Sequence, residues 1–183
     1  MKKYLILFYS KTGNNKFLAE KLAKELGNSS VRNITPKINV LLILLLMSRF
    51  KISVGTGTSQ KDIEEHDEVV IFGPVWAGLL ISPLISILKK CVNASKPIHF
   101  AVSCETNDDE KNGKYGYAQV LRDAKNIGGD FIKNMEAFSI SLVKDESQIL
   151  NPKLSDNIKL TEENFNGLIE SRFRNFVKSI KSS

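Results

Sequence analysis

Residues 4–26 read YLILFY-SKTGNN-KFLAEKLAKEL, and this stretch decides the fold class. An apolar run at 4–9 is followed by a short loop of hydroxyls, glycine and amides at 10–15. Leucines then recur at positions 18, 22 and 26, which is the spacing of one helical face. The stretch therefore predicts a strand, a loop and a helix. Unpaired N–H groups and the positive end of the helix dipole make such a loop a binding site for an anion, most often phosphate.

The side chains of this loop favour a single phosphate group. Ser10 and Thr12 can donate hydroxyl hydrogen bonds, Asn14 and Asn15 can donate amide hydrogen bonds, and Gly13 lets the backbone approach closely. The polyphosphate loop G-x-x-x-x-G-K-[ST] is absent from the sequence, and no G-x-G-x-x-G follows the strand. The alternative is an ordinary strand-to-helix turn in which Asn14 or Thr12 caps the helix.

A second strand–loop–helix unit supplies an aromatic ring. Residues 68–73 (EVVIFG) form an apolar run, residues 74–78 read PVWAG, and the dipeptide at 82–83 predicts a helix start with Ser82 as the N-cap. The loop holds Trp76, the only tryptophan of the chain. A large aromatic side chain at the end of a strand suggests a surface on which a ring stacks. An anion site and a stacking surface on neighbouring strands together describe a ligand that resembles a nucleotide.

These two segments resemble the flavin loops of the flavodoxin-like superfamily. Residues 10–15 are similar to the family's phosphate loop, usually written [ST]-x-[ST]-G-N-T, and residues 73–78 are similar to its second loop. The similarity in element order extends over about residues 2–145. Asn15 stands where the family prefers threonine, so an amide replaces one hydroxyl donor.

The resemblance implies that FMN is the cofactor and assigns contacts to it. The residues that it implies for the phosphate are Ser10, Thr12, Gly13, Asn14 and Asn15. The residues that it implies for the isoalloxazine ring are Pro74, Val75, Trp76, Ala77 and Gly78. It also places a third loop, which follows the strand predicted at 97–103, on the other side of the flavin, with Cys104, Glu105 and Tyr115 as contacts.

The third loop is less specific than the first two. Its carboxylates could disfavour an anionic reduced flavin by Coulomb repulsion, or they could form a solvated acidic loop; they are Glu105, Asp108, Asp109 and Glu110. Residues 105–111 contain no aromatic side chain that could stack on the ring. Tyr115 and Tyr117, which follow, could stack on it, or they could pack at the start of the next helix. Cys104 is expected to be a buried filler, with a flavin-tuning thiol as the alternative.

The rest of the chain continues the alternation of strands and helices. Apolar runs predict strands at 31–34, 97–103 and 138–143, and helical spacing predicts helices at 118–127 and after a cap at Thr161. Residues 51–67 are polar and predict a long connection. Together these elements predict an α/β fold with a five-stranded parallel sheet and helices on both faces. The resemblance implies a flavodoxin-like three-layer sandwich with the strand order 2-1-3-4-5. In that order strands one and three are neighbours, so the loops meet at one site.

The longest apolar run, VLLILLLM at residues 40–47, predicts a buried helix that covers the sheet. It is much shorter than the roughly 20 residues that cross a bilayer, so membrane association is the minor alternative. His66 lies in a charged run and is expected to be solvated. His99 lies in an apolar strand and is expected to be structural.

Length and composition indicate a single domain, residues 1–183, with 42% hydrophobic and 25% charged residues. Cys91 and Cys104 form no metal or redox motif and no signal peptide is evident, so we expect a cytoplasmic protein. The net charge of +6 is unusual for an electron-carrying flavodoxin and could attract NAD(P)H or an acidic partner. The cations are dispersed without interleaved aromatic residues, which argues against a nucleic-acid partner.

Three functions remain open from the sequence. The first is an FMN-binding carrier of electrons between redox partner proteins, with no catalytic side chain. The second is an FMN-dependent oxidoreductase that takes hydride from NAD(P)H and reduces a quinone or similar small acceptor. The third is a relative of the fold that has lost flavin and serves in binding. We expect no membrane partner and no metal, and the sequence leaves the oligomeric state open.

Overall fold

The computed structural model describes residues 1–143 and 158–183 of the chain. Its centre is a β-sheet in which five parallel strands are hydrogen-bonded in the order β2-β1-β3-β5-β6, while β4 pairs antiparallel with the end of β3. The strands are β1 (Tyr4–Phe8), β2 (Ser29–Asn33), β3 (Glu68–Trp76), β4 (Leu79–Leu80), β5 (Ile98–Cys104) and β6 (Ile132–Ser139). Counted over the parallel strands alone, the order is 2-1-3-4-5, so the predicted topology is confirmed and the two-residue β4 is an addition to it.

The strand register brings three loops to one edge of the sheet. Phe8, the last residue of β1, lies opposite Phe72 of β3. On the other side of β3, Pro74 lies opposite Ser103 of β5. The carboxyl ends of β1, β3 and β5 are therefore adjacent, as expected at the switch point of this topology.

Helices cover both faces of the sheet. They are α1 (Asn14–Leu26), α2 (Leu41–Arg49), α3 (Gln60–Glu64), α4 (Ser82–Asn93), α5 (Ala118–Gly128) and α6 (Gly167–Lys181). Successive strand residues point to opposite faces. Leu5 and Leu7 therefore pack in one core with side chains of α4 and α5, whereas Ile6 and Phe72 pack in a second core with side chains of α1 and α6. This arrangement confirms the predicted three layers.

The two edge strands differ from the prediction. β2 spans Ser29–Asn33, whereas the expected strand spans 31–34. The last strand is expected at 138–143, but β6 ends at Ser139, and Ile140–Val143 forms a 3-10 turn. Pairing with β5 determines this register, because Ile98 lies opposite Ile132 and the ladder continues to Ser139. Ser139 is buried, not on an exposed edge.

The last helix begins later than predicted. Its N-cap is Asn166, and Thr161 lies in a preceding turn where it exchanges hydrogen bonds with Asn164. The helix buries an apolar stripe of Ile169, Phe173, Phe176, Val177 and Ile180, whereas Leu168 is exposed. Phe165 belongs to that stripe although it precedes the helix.

The region before β3 is more structured than a polar connection. Ser59 and Asp62 form a capping box that starts α3. His66 is buried behind this helix, with its Nδ1 2.7 Å from the carbonyl oxygen of Asp62, so the prediction that it is solvated is wrong. The sequence did not reveal this burial because α3 is only one turn long. His99, in contrast, is buried between Glu68 and Asn134, which is a structural setting.

The apolar run at 40–47 forms a helix, but most of that helix is not buried. Of the residues in α2, only Leu44 and Ser48 are buried, and the prediction of a buried helix is therefore wrong. The cause is that α2 touches the molecule along one face, at α4 and β4, and does not lie flat on the sheet. Among the described residues, no helix is long and apolar enough to cross a membrane.

Candidate functional site

The loop between β1 and α1 forms a polar cradle at a helix N-terminus. Gly13 adopts a left-handed conformation with φ of 99°, and its N–H donates to Ser10 Oγ at 3.0 Å. The first intrahelical bond runs from the Phe17 N–H to the Gly13 carbonyl oxygen at 2.9 Å. The N–H groups of the first helical turn, at residues 14–16, thus have no intrahelical acceptor, which is the arrangement that binds anions.

The side chains of the cradle have different tasks. Thr12 and Lys11 line a cleft beside it. Asn14 is 2% exposed and its amide is already bonded: Nδ2 donates to the Ile158 carbonyl oxygen at 3.1 Å, and Oδ1 accepts from the Leu160 N–H at 2.8 Å. The predicted donor Asn14 therefore positions a distant segment of chain with its amide, although it also lines the cleft.

Asn15 is placed differently from its neighbour. It is buried and does not line the cleft, and its Oδ1 has no hydrogen-bond partner within the described ranges. The Ser10 hydroxyl is engaged by Gly13, as described above. Of the predicted side-chain donors, Thr12 is the one that lines the cleft without a hydrogen bond among the described residues.

The second loop is a tight hairpin between β3 and β4. Trp76 pairs with Leu79, and the two residues between them, Ala77 and Gly78, have φ angles of 50° and 71°. Positive φ at both central residues is the signature of a type I′ turn. A Cβ on Gly78 would lie 2.4 Å from the carbonyl oxygen of Lys114, so this glycine is required where the second and third loops touch.

The aromatic ring of Trp76 is held between two side chains of the first loop region. The ring of Tyr9 meets it edge-on, with centroids 5.6 Å apart and an interplanar angle of 75°. Lys11 Nζ lies 4.9 Å from the centroid of the Trp76 ring, a cation–π contact. Sequence reasoning missed Lys11, although it was the only cation within the loop at 10–15.

The third loop delivers Ser103, Cys104, Glu105, Thr106, Glu110 and Tyr115 to the cleft. Asp108 turns away from it, because its carboxylate accepts hydrogen bonds from Arg172 of α6 and, at 2.7 Å, from Tyr117 Oη. These two donors lower the pKa of Asp108 to about 2. The predicted acidic cluster therefore contributes only Glu105 and Glu110 to the cleft wall.

Tyr115, Tyr117 and Cys104 differ in their position relative to the cleft. Tyr115 is 57% exposed and lines the cleft, whereas Tyr117 is buried and does not. Burial raises the pKa of the Cys104 thiol to about 12, so the thiol is neutral at physiological pH. The thiol lines the cleft as a small apolar group, with its Sγ 3.6 Å from the carbonyl oxygen of Thr106.

The three loops enclose a cleft of about 840 Å³ at the carboxyl ends of β1, β3 and β5. We call the loop at 10–13 with the first turn of α1 the anion end. We call the part lined by Trp76, Tyr115 and residues 74, 75 and 77 the aromatic end. Apolar wall residues that the sequence did not reveal are Leu41, Leu45, Ile140 and Ile158. Their contribution depends on tertiary packing and left no local signal.

The residue set of the cleft fits a ligand with an anionic group and a flat ring. The size is within the range of small-molecule and cofactor sites. Nine of the thirteen predicted site residues line it, and the four that do not are Ser10, Gly13, Asn15 and Gly78. A second cleft, of about 630 Å³ between α1 and α6, is lined mainly by charged surface side chains and lies away from the strand ends. Within residues 1–143 and 158–183, no cluster of side chains could hold a metal ion.

Comparison with known proteins identifies the fold. No protein-family model and no curated protein matches the sequence. Among solved structures, a flavoprotein from Lactobacillus acidophilus NCFM in complex with FMN is 20% identical over 85% of this chain and 100% of its own, with a TM-score of 0.57. A flavodoxin from Streptococcus pneumoniae TIGR4 is 15% identical over 98% and 97% of the two chains, with a TM-score of 0.56. The general stress protein 14 of Treponema denticola, also in complex with FMN, is 17% identical over 98% of both chains, with a TM-score of 0.55. The chain therefore has the flavodoxin-like fold.

Proposed function

We propose that this protein binds FMN in the cleft and carries electrons between redox partners. The observation that carries the proposal is the coincidence of an anion end and an aromatic end within one cleft at the switch point of the sheet. Structures of the same fold that contain FMN support the choice of ligand. When bound, FMN would supply the redox chemistry, and the protein sets its binding and its potential.

The residues of the anion end would hold the phosphate. The N–H groups at 14–16, which have no intrahelical acceptor, point out of the first turn of α1, and the Thr12 hydroxyl adds a side-chain donor. Lys11 adds a positive charge that no carboxylate neutralises among the described residues. Ser10 contributes by fixing the Gly13 backbone, and Asn14 by closing the segment at 158–160 over the helix start.

The residues of the aromatic end would hold the ring. Trp76 is braced by Tyr9 and Lys11, so its ring has a defined position before a ligand enters. Tyr115 is exposed and free to settle on a ligand. Gly78 keeps the second loop against the third, so Pro74, Val75, Ala77, Cys104 and Glu105 stand around the same space.

We infer that the flavin, and not a side chain of the cleft, would carry the redox chemistry. Of the described residues in the lining, the Cys104 thiol is neutral, and neither histidine of the chain is among them. Redox partner proteins are therefore the proposed partners. We further infer a reducing compartment, such as the cytoplasm, because both cysteines are free and buried.

The alternative is an FMN-dependent NAD(P)H oxidoreductase acting on a small acceptor. It is favoured by the net charge of +6 and by Lys11 at the cleft, which would attract an anionic nucleotide. A flavin-free binding protein is the second alternative, favoured by the engagement of the Asn14 amide.

Titration of the protein, freed of any flavin, with FMN and in parallel with riboflavin tests these proposals. We expect tight quenching of FMN fluorescence and much weaker binding of riboflavin, which lacks the phosphate. Absence of binding by either would leave the flavin-free alternative. Rapid bleaching of the bound FMN by NAD(P)H would replace the carrier with the oxidoreductase, whereas slow bleaching supports the carrier.

A further inference from the structure

The outward face of α2 is apolar, which is unusual for a surface helix. At helical spacing, Leu44 and Ser48 face the molecule. Leu42, Ile43, Leu46 and Phe50 point the other way and are 67%, 40%, 52% and 70% exposed. A helix on the surface of a globular protein ordinarily carries polar side chains on this face. Contiguous exposed apolar side chains of this extent mark an interaction surface.

The helix is held firmly in this orientation. Ser48 Oγ accepts the backbone N–H of Ser82 at 2.8 Å, and Ser82 Oγ donates to the carbonyl oxygen of Ile52 at 2.6 Å. These bonds tie α2 and the turn that follows it to the start of α4. The apolar face is therefore presented to solvent by specific contacts, and further exposed apolar residues, Ile38, Val40 and Ile52, flank it.

The stretch of chain that carries this face has charges of one sign. Residues 26–61 contain five cations and no aspartate or glutamate. Arg32 and Lys51 pair with Asp62 and Asp123, which lie outside that stretch. Lys37 and Arg49 are exposed and make no ion pair within the described ranges, and Arg49 lies on the outward face itself. The partner should thus combine an apolar phase with negative charge.

A second copy of the chain does not meet this requirement. In a two-fold interface the same patch faces itself. Arg49 and Lys37 would then approach their own copies without a carboxylate from residues 26–61 to compensate. An anionic lipid surface meets both conditions, because apolar side chains enter the acyl boundary while lysine and arginine reach the headgroups.

We propose that the outward face of α2, defined by Leu42, Ile43, Leu46, Arg49 and Phe50, docks on the surface of a bilayer that contains anionic lipids. The helix lies in the interface and does not cross it. Leu41 and Leu45, on the adjacent face of the same helix, line the cleft. Docking therefore brings the mouth of the cleft to the membrane surface, whether or not a flavin is bound.

Co-sedimentation with vesicles tests the proposal. We expect the protein to bind vesicles of phosphatidylglycerol and phosphatidylcholine in equal parts, to bind phosphatidylcholine alone much more weakly, and to dissociate as salt rises. Leu42→Glu and Leu46→Glu should each lower the partition coefficient about tenfold or more, and Arg49→Gln by several-fold. Leu168→Glu is the matched control, because Leu168 is 56% exposed on α6, and it should leave binding unchanged.

Three results would overturn the proposal. The first is no binding of the wild-type protein to anionic vesicles. The second is an equal loss for Leu168→Glu and Leu42→Glu, which would indicate non-specific adsorption. The third is a lipid-free dimer, detected by light scattering, that Leu42→Glu dissociates, since a second copy would then occupy the face. Circular dichroism of each variant establishes that it is folded.

Discussion

The two ends of the cleft are built in different ways. The anion end comes from one continuous stretch, in which strand, loop and helix follow each other within residues 4–26. The aromatic end is assembled from the loops after β3 and β5, which are far apart in the chain. Local motifs located the loop at 10–15 and Trp76, whereas the contact of the second loop with the third at Gly78 exists only in the folded chain.

The largest effect is expected at the junction that creates the aromatic end. In Gly78→Ala the new Cβ would lie 2.4 Å from the Lys114 carbonyl oxygen. The alanine backbone would also have to adopt φ of 71°. Left-handed strain costs about 1–2 kcal/mol, and the backbone overlap adds to it, so we expect a loss of roughly 3 kcal/mol in the free energy of unfolding. Urea denaturation measures this loss. Binding of FMN and riboflavin should weaken together, because the ring contacts are displaced.

Two other glycines separate strain from overlap. Gly13 and Gly27 also have positive φ, 99° and 73°, but nothing lies within 4 Å of a Cβ at either position. Gly13→Ala and Gly27→Ala should each cost about 1–2 kcal/mol of stability. Only Gly13→Ala should weaken the binding of FMN, and it should leave the binding of riboflavin unchanged. A loss at Gly78 no larger than at Gly27 would contradict the close contact between the second and third loops.

A smaller effect is expected at the contact of Asn14 with the segment at 158–160. Asn14→Ala removes both bonds to the segment at 158–160 and leaves a buried N–H and a buried carbonyl without partners. We expect a loss of roughly 2–3 kcal/mol in the free energy of unfolding by urea denaturation. Asn15→Ala is the matched control. Its Oδ1 has no partner among the described residues, so its loss should be clearly smaller. Equal losses would mean that Asn14 does not anchor that segment.

The same contrast explains how much could be predicted from the sequence. The three layers followed from the alternation of strands and helices, and the strand order followed from the resemblance to the flavodoxin-like superfamily. The loop at 10–15 and Trp76 followed from local patterns. Burial of α2 was wrongly expected because apolar composition does not say which side of a helix meets the molecule. Lys11 was overlooked and the role of Asp108 was left open, because the contacts to Trp76 and Arg172 are made between segments that are far apart in the chain.

The hydroxyl of Thr12 at the anion end is expected to act on FMN binding alone. Thr12→Ala should weaken FMN binding by about 1–2 kcal/mol, as for one lost hydrogen bond to a charged group, and should leave riboflavin binding unchanged. Thr12→Ser keeps the hydroxyl and serves as the control. Titration by flavin fluorescence gives both affinities. Unchanged FMN affinity in Thr12→Ala would remove this hydroxyl from the phosphate site.

The smallest expected effect is on the pH dependence of the free energy of unfolding, through the contact of Asp108 in the third loop with Arg172 of α6. Hydrogen bonds from Arg172 and Tyr117 lower the pKa of Asp108 from 3.8 to about 2. Since the pKa is lower in the folded chain, the carboxylate stabilises the fold above about pH 4, and this contribution is lost as the pH falls towards about 2. The Asp108 side chain is 46% exposed, so solvent screening keeps the contribution below about 1 kcal/mol.

The comparison of variants isolates this contribution from others in the same window. The pKa of Asp62 is also about 2, so its stabilising contribution is lost over the same pH range. The pH dependence of the wild-type stability alone therefore cannot isolate the contribution of Asp108. Asp108→Asn should be less stable than wild type at neutral pH, and the difference should vanish near pH 2. Asp109→Asn removes a neighbouring exposed carboxylate and should follow the wild-type profile. A difference for Asp108→Asn that persists unchanged at low pH would show that Asp108 acts through packing and not through its charge. The contact between the third loop and α6 would then depend on packing and not on charge, as the contact of Gly78 with the third loop does.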